Sequence, residues 1–172
     1  MISVAVIGGG ASGMAFAVAL KQKRPDIEVT VFEKNPKVLK KILVTGNGRC
    51  NILNFDAVAE NYFEACEFVR PAVEKYAPKK TEAIFRDMGL LLMSEQEGRA
   101  YPISQTAASV VCVLSSAAER AGVKVFTDTP VKSIKKSQGR FVINNDKSFD
   151  FAVIACGGAA APKQGTDGSS FE

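Results

Sequence analysis

Histidine is absent from the 172 residues. That excludes histidine metal centres, a Ser-His-Asp triad and histidine acid–base chemistry from this stretch of chain. A reaction carried here must lean on a cofactor, or on Lys, Tyr, Cys and carboxylate groups. CxxC pairs are lacking too, since Cys50, Cys66, Cys112 and Cys156 are widely spaced. No secretory apolar region precedes them, because Ile2 to Ile7 runs straight into glycines. The expectation is a cytoplasmic protein with four free thiols. No apolar run reaches the roughly 20 residues a bilayer requires, so no membrane partner is expected. The charge balance is a mild +4. Lysines and arginines are scattered, which reads as solvated surface and no nucleic-acid partner.

What is present suits one buried core, with 47% hydrophobic residues. Ile2 to Ile7 is apolar and β-branched, as a buried parallel strand would be. Gly8 to Gly10 form a turn, Ala11 to Lys23 a helix, and Ile27 to Glu33 a second strand after the break at Pro25-Asp26. This is a βαβ unit. Lys34 to Asn54 reads as a glycine-rich basic loop with at most one helical turn. Two helices are expected at Asp56 to Tyr76, interrupted near Pro71, and at Lys79 to Met88. Leu90 to Met93 and Arg99 to Tyr101 form a hairpin. Thr106 to Ala121 is a helix capped by Gly122. Strands follow at Val123 to Phe126, Val131 to Lys135, Arg140 to Ile143 and Phe149 to Ala155. The first three are expected to form an antiparallel meander, and the last to rejoin the parallel sheet. The fold class is thus α/β, a parallel sheet with helices on one face and the meander on the other. The chain stops in a glycine-rich loop without a closing element, and the expectation is a truncated domain.

Gly8-Gly9-Gly10-Ala11-Ser12-Gly13 matches GxGxxG between a strand and a helix. Gly8 permits the turn, Gly10 lets a pyrophosphate approach, and Gly13 lets the helix pack on the strand. Glu33 ends the second strand, where an acidic residue accepts ribose hydroxyls. Its charge repels a 2′-phosphate, so FAD or NAD is favoured over NADP. The bland alternative is a structural turn beside a solvated glutamate.

A second loop, Lys41-Ile42-Leu43-Val44-Thr45-Gly46-Asn47-Gly48-Arg49-Cys50-Asn51, separates FAD from NAD. Its glycines let backbone N–H groups converge on an anion or a polar ring edge. A dinucleotide carrying an isoalloxazine has use for such a loop, and a simple NAD domain does not. An exposed basic loop is the alternative reading.

With the N-terminal fingerprint, this loop resembles the HI0933-like, BaiN-type family of bacterial flavoproteins. Gly98-Arg99-Ala100-Tyr101-Pro102-Ile103-Ser104, with Ala107, Val110 and Leu114, resembles a second family segment. Ala155-Cys156-Gly157-Gly158, then Pro162, Gly165, Thr166 and Gly168, resembles a third. Cys156 stands where the family usually has Thr, and Tyr101 where it has Phe; neither obstructs binding.

The resemblance implies a Rossmann-like FAD/NAD(P)-binding domain over residues 1–172. A substrate-facing insertion and a C-terminal segment closing over the flavin would lie outside it. It implies that Gly8, Gly10, Ala11, Ser12 and Gly13 hold the pyrophosphate and Glu33, beside Lys34, the adenosine ribose. Lys41, Thr45, Gly46, Gly48, Arg49, Cys50 and Asn51 would line the flavin side. Val131 would touch adenine through its backbone, and Ala155, Cys156 and Gly157 would pass near the adenosine. The implied activity is hydride transfer from NAD(P)H via FAD to a small organic substrate such as a steroid-like enone. Another class of flavin dehydrogenase or oxidase, or a non-catalytic nucleotide-binding module, is the alternative. Without the closing segment, FAD binding by these residues alone is expected to be weak or absent.

Individual residues carry competing readings. Cys50 suits a positional role better than a redox one, since no resolving cysteine lies near it in sequence. Cys66 and Cys112 read as core residues on apolar helix faces, and Cys156 as packing. Tyr101 reads as packing before Pro102, with proton donation as the alternative. Arg99 reads as surface, with carboxylate or phosphate binding as the alternative. No catalytic residue and no oligomeric state is assigned.

Overall fold

The structure, a computed structural model, describes residues 1–159, 162–164 and 168. It divides into two compact units, Met1–Ile42 with Leu114–Glu172, and Leu43–Val113. The first opens with β1 (Ser3–Ile7), α1 (Ala11–Lys23) and β2 (Glu28–Phe32). The second holds β3 (Leu53–Asn54), α2 (Cys66–Lys75), α3 (Pro78–Asp87), β4 (Leu92–Ser94) and β5 (Arg99–Pro102). Helix α4 (Ala107–Arg120) spans the division. The first unit resumes with β6 (Lys124–Phe126), β7 (Ile134–Ser137), β8 (Arg140–Ile143), β9 (Lys147–Phe149) and β10 (Phe151–Ile154).

In the first unit a parallel sheet runs in the order β10-β1-β2-β6. Its register pairs Ala5 with Thr30 and Ala152, Ile7 with Phe32 and Ile154, and Thr30 with Lys124. Because side chains alternate along a strand, these residues share one face and Val4, Val6, Val29 and Val31 share the other. The first face carries the antiparallel meander β7-β8-β9. Ile143 and Phe149 of the meander complete a buried cluster with Ala5, Ile7 and Phe32. Phe149 meets Phe32 edge-on, with ring centroids 5.8 Å apart. The valine face is covered by α1, whose Met14, Ala17 and Val18 are buried. Burial on both faces explains why β1 and β2 are almost continuously apolar. Each such large side chain contributes about 1.5–3 kcal/mol.

An edge contact ties the start of the chain to the end of the meander. Asp150 Oδ2 accepts the Ser3 N–H at 2.8 Å and the Ser3 hydroxyl at 2.9 Å. Arg140 pairs with the other carboxylate oxygen and donates from Nε to Ser148 Oγ at 2.9 Å.

In the second unit, β3-β5-β4 form an antiparallel sheet, with Leu92 opposite Pro102 and Leu53 opposite Ala100. Its centre is β5, where Ala100, Tyr101 and Pro102 are buried. Neither α2 nor α3 contains a buried residue.

Several expectations are corrected. Lys124–Phe126 does not join the meander; it pairs in parallel with β2 and extends the central sheet. There Phe126 stacks on Phe32 at 5.9 Å. The third meander strand is Lys147–Phe149, part of which was expected to continue into the last parallel strand; Asp150 separates the two. Val131 precedes the strand that begins at Ile134, and instead packs against the Ala5–Phe149 cluster. The expected helix from Asp56 breaks at Phe63, which takes φ of 48°, and Pro71 lies inside α2. Pro71 is the sixth of the ten residues of α2, where it removes the backbone bond that an N–H would make to the Glu67 carbonyl. Cys112 is exposed and Cys66 only half-buried. In α4 the buried stripe runs through Ala107, Val110, Leu114, Ala117 and Ala118, and Cys112 falls off it. Gly165 and Thr166 lie outside the described residues.

Candidate dinucleotide site

The glycine turn sits at the C-terminal end of β1, where open α/β sheets bind ligands. Gly8 has φ of 111°, and a Cβ there would lie 2.4 Å from the Ala155 carbonyl oxygen. At Gly13 a Cβ would lie 2.0 Å from the Gly8 carbonyl oxygen, so only glycine lets α1 pack this closely. Gly10 is different: nothing lies within 4 Å of a Cβ built there. It is the N-cap of α1, with no side-chain cap, and the first turn contains no acidic residue. The first N–H groups of a helix have no intrahelical partner and sit at the positive end of its dipole. Unhindered space beside an uncapped N-terminus, with Ala11 and Ser12 in the first turn, fits a pyrophosphate.

Glu33 is only 7% exposed. Its Oε2 accepts the Gly9 N–H at 2.8 Å, and its Oε1 accepts the Asn35 N–H at 2.8 Å and Asn35 Nδ2 at 2.6 Å. A carboxylate has about four acceptor positions, so capacity for hydroxyl donors is left. Backbone bonds set this residue too, its N–H donating to Phe126 O and its carbonyl accepting from Thr129 N–H, each at 2.8 Å. Cys156 lies beside β1, its thiol donating to Ile7 O at 3.4 Å, and burial pushes that thiol up. Val131 and Cys156 flank the same apolar cluster. The first unit therefore gathers Gly8 to Gly13, Glu33, Ala155 and Cys156 around the ends of β1 and β2. Lys41 also belongs to this unit.

The second loop is built within the second unit. Gly46, Asn47, Gly48 and Cys50 all have positive φ, between 53° and 81°. The turn is closed by Arg49 N–H to Gly46 O at 3.0 Å and Cys50 N–H to Thr45 O at 3.1 Å. A Cβ on Gly46 would press on the Asn51 nitrogen at 2.8 Å. The Arg49 guanidinium lies 4.0 Å from the centroid of the Tyr101 ring. Its Nη1 donates to Glu95 Oε1 at 2.9 Å and to Gln105 Oε1 at 2.9 Å. Cys50 is buried, and that burial pushes its thiol up, outweighing a hydrogen bond with Thr45. Arg49 is turned to Tyr101 and Glu95, so a thiolate at Cys50 is disfavoured, in keeping with a positional role. Arg99 pairs with Glu97 at the surface.

The HI0933-like protein Rossmann domain family matches residues 2–172. The chain belongs to that family. Among curated relatives, it is 38% identical over 175 residues to the 3-dehydro-bile acid delta(4,6)-reductase of Clostridium scindens, covering 99% of this chain and 42% of that protein. It is 26% identical over 168 residues to the ribosomal RNA dihydrouridine synthase of Haemophilus influenzae, covering 93% of this chain and 41% of the other. The chain thus spans about two-fifths of these relatives. Among solved structures, CtdE in complex with FAD and substrate 4 shares the fold, with a TM-score of 0.52 and 16% identity. That match covers 91% of this chain and 38% of CtdE.

This HI0933-like domain contains supporting residues that its sequence did not single out. Asn35 holds Glu33 from two positions away, a spacing at which a short amide side chain reaches back along the turn. Glu95 and Gln105 orient Arg49 from 46 and 56 positions away, and nothing local marks them. Among the described residues no group of His, Cys, Asp and Glu is placed to hold a metal ion. No described helix is long and apolar enough to cross a membrane.

Proposed function

We propose that this chain is the FAD-binding portion of an FAD-dependent oxidoreductase. The observation that carries the reading is the pairing of an uncapped, unhindered helix N-terminus at Gly10 with the buried Glu33 carboxylate at the end of the neighbouring strand. Gly8 to Gly13 would hold the pyrophosphate, and Glu33 would accept the adenosine ribose hydroxyls. Thr45 to Asn51, with Lys41, would line the flavin. Val131 and Ala155 to Gly157 would flank the adenosine, and Lys34 would lie beside the ribose. FAD, when bound, supplies a two-electron carrier between a reduced nicotinamide donor, NAD(P)H, and an organic substrate. The chain's own part is to bind and orient the cofactor and keep water from it.

Reduction of an activated carbon–carbon double bond is the favoured chemistry. The names of both curated relatives fit it, one a delta(4,6)-reductase and the other a synthase of dihydrouridine. At 38% against 26% identity, the bile-acid reductase favours a small enone over an RNA substrate. A substrate-facing insertion and a closing segment would come from elsewhere in a longer protein, in keeping with the share of each relative that the chain spans. Four free cysteines suit a reducing cytoplasm.

The test is an absorbance spectrum of the purified protein, followed by titration with FAD and with NAD. A flavin spectrum, or saturable binding of FAD but not NAD, is expected of the full-length protein. Failure of that protein to bind FAD overturns the reading.

A further inference from the structure

A second concavity of about 460 Å³ opens at the opposite ends of the same parallel strands, where Ser3, Glu28 and Lys124 begin β1, β2 and β6. It lies on the meander face of the sheet, wholly within the first unit, and the dinucleotide reading neither uses nor needs it. Its floor includes Thr30, only 3% exposed. Every fully buried side-chain nitrogen and oxygen among the described residues has a hydrogen-bond partner. The Thr30 hydroxyl makes no hydrogen bond among the described residues, so it opens onto the concavity. Facing open space, that hydroxyl is available to a ligand oxygen in exchange for water.

The charges around it are unequal in their partners. Lys124 is paired with Glu28, and Arg140 with Asp150. Lys147, on the rim, has no carboxylate partner among the described residues; its ammonium lies 4.2 Å from the Phe126 ring centroid. The rings of Phe126 and Phe149 form apolar wall beside it, and Ser148 adds a hydroxyl. The Lys147 ammonium, the Thr30 hydroxyl and two ring surfaces match a monoanion with a hydrocarbon part. Glu28 and Asp150 stand close by and would repel a dianion more strongly than a monoanion.

We propose that this concavity binds a small organic carboxylate, with Lys147 and Thr30 contacting the carboxylate and Phe126 and Phe149 its apolar portion. The volume lies within the range of small-molecule sites. The site is separate from the glycine cradle, so its occupancy and dinucleotide binding are measured independently.

The experiment is a titration of the ¹⁵N-labelled protein with sodium butyrate at constant ionic strength, followed by amide chemical shifts. Inorganic phosphate serves as the parallel probe. Saturable butyrate shifts at Thr30, Lys147 and Phe149 are expected, with no matching response to phosphate. Lys147→Met should weaken butyrate about five-fold. Thr30→Val, which keeps the shape and removes the hydroxyl, should weaken it about three-fold. The thermal midpoint of each variant checks that the fold is kept. No saturable shift, an equal response to phosphate, or unchanged affinity in Lys147→Met would each overturn the proposal.

Discussion

Glu33 closes the turn that it is expected to share with a ribose: its Oε2 accepts the Gly9 N–H at 2.8 Å across 24 positions of sequence. The same carboxylate holds Asn35 through two further bonds. One acidic side chain therefore shapes the cradle before any ligand arrives. Glu33→Ala leaves the Gly9 and Asn35 N–H groups without these acceptors. The expected cost is about 1–3 kcal/mol, read as a lower urea midpoint at unchanged slope. Glu33→Gln keeps one acceptor oxygen and should lose less.

The glycines separate folding from binding. Gly13→Ala places a methyl 2.0 Å from Gly8 O, and Gly8→Ala places one 2.4 Å from Ala155 O. Both should destabilise strongly, because the obstructing atoms are backbone. Gly10→Ala meets nothing within 4 Å and should cost about 1 kcal/mol or less as a poorer N-cap. Its methyl nevertheless occupies the space proposed for pyrophosphate. FAD titration alongside thermal unfolding should find Gly10→Ala nearly as stable as the parent and much weaker in binding. Unweakened binding would count against the cradle.

Arg49 rests on Tyr101 at 4.0 Å and pairs with Glu95, with both ion-pair side chains about a third exposed. Solvent screening reduces what the pair is worth. Arg49→Lys loses the planar stack and should cost about 1 kcal/mol or less in stability. A double-mutant cycle of Arg49→Ala with Tyr101→Leu should give a coupling energy above zero, and additivity would show the stack to be inert.

Acid should loosen the edge at Asp150. Hydrogen bonds from the Ser3 N–H and hydroxyl hold its carboxyl below the usual carboxylate range, with Arg140 adding to the effect. The folded value is lowered relative to the unfolded one. The contribution is therefore present above the ordinary value of about 3.9 and is lost as pH falls through the lowered value. Asp150→Asn should be less stable than the parent near pH 7, and the gap should narrow as the parent is acidified below about pH 4. Thermal midpoints across that range check it.

Thiol reactivity should split into two classes. Burial pushes the Cys50 and Cys156 thiols up, whereas Cys112 is exposed. Near pH 7.5 a thiol-exchange reagent should modify Cys112 first and reach Cys50 and Cys156 only slowly until denaturant is added. Cys112→Ser should remove the fastest phase.

Local chemistry determined much of this protein. The strand–glycine–helix–strand–acid order needs no distant information: Gly8, Gly13 and the apolar runs of β1 and β2 state their own backbone demands within about thirty residues. The hairpin of β4 and β5 and the helix from Ala107 were legible for the same reason. Tertiary structure alone decided which strand pairs with which. Lys124–Phe126 has the composition of a strand in either sheet; β2 and the stack of Phe126 on Phe32 place it in the parallel one. It also decided who holds Arg49, because Glu95 and Gln105 meet it only after β4, β5 and the turn that follows them have formed. The concavity beside Lys147 is a tertiary product as well, since its floor and walls come from strands far apart in the chain. Backbone propensity acts over neighbouring residues, whereas pairing and side-chain contact depend on which surfaces the rest of the chain has already buried.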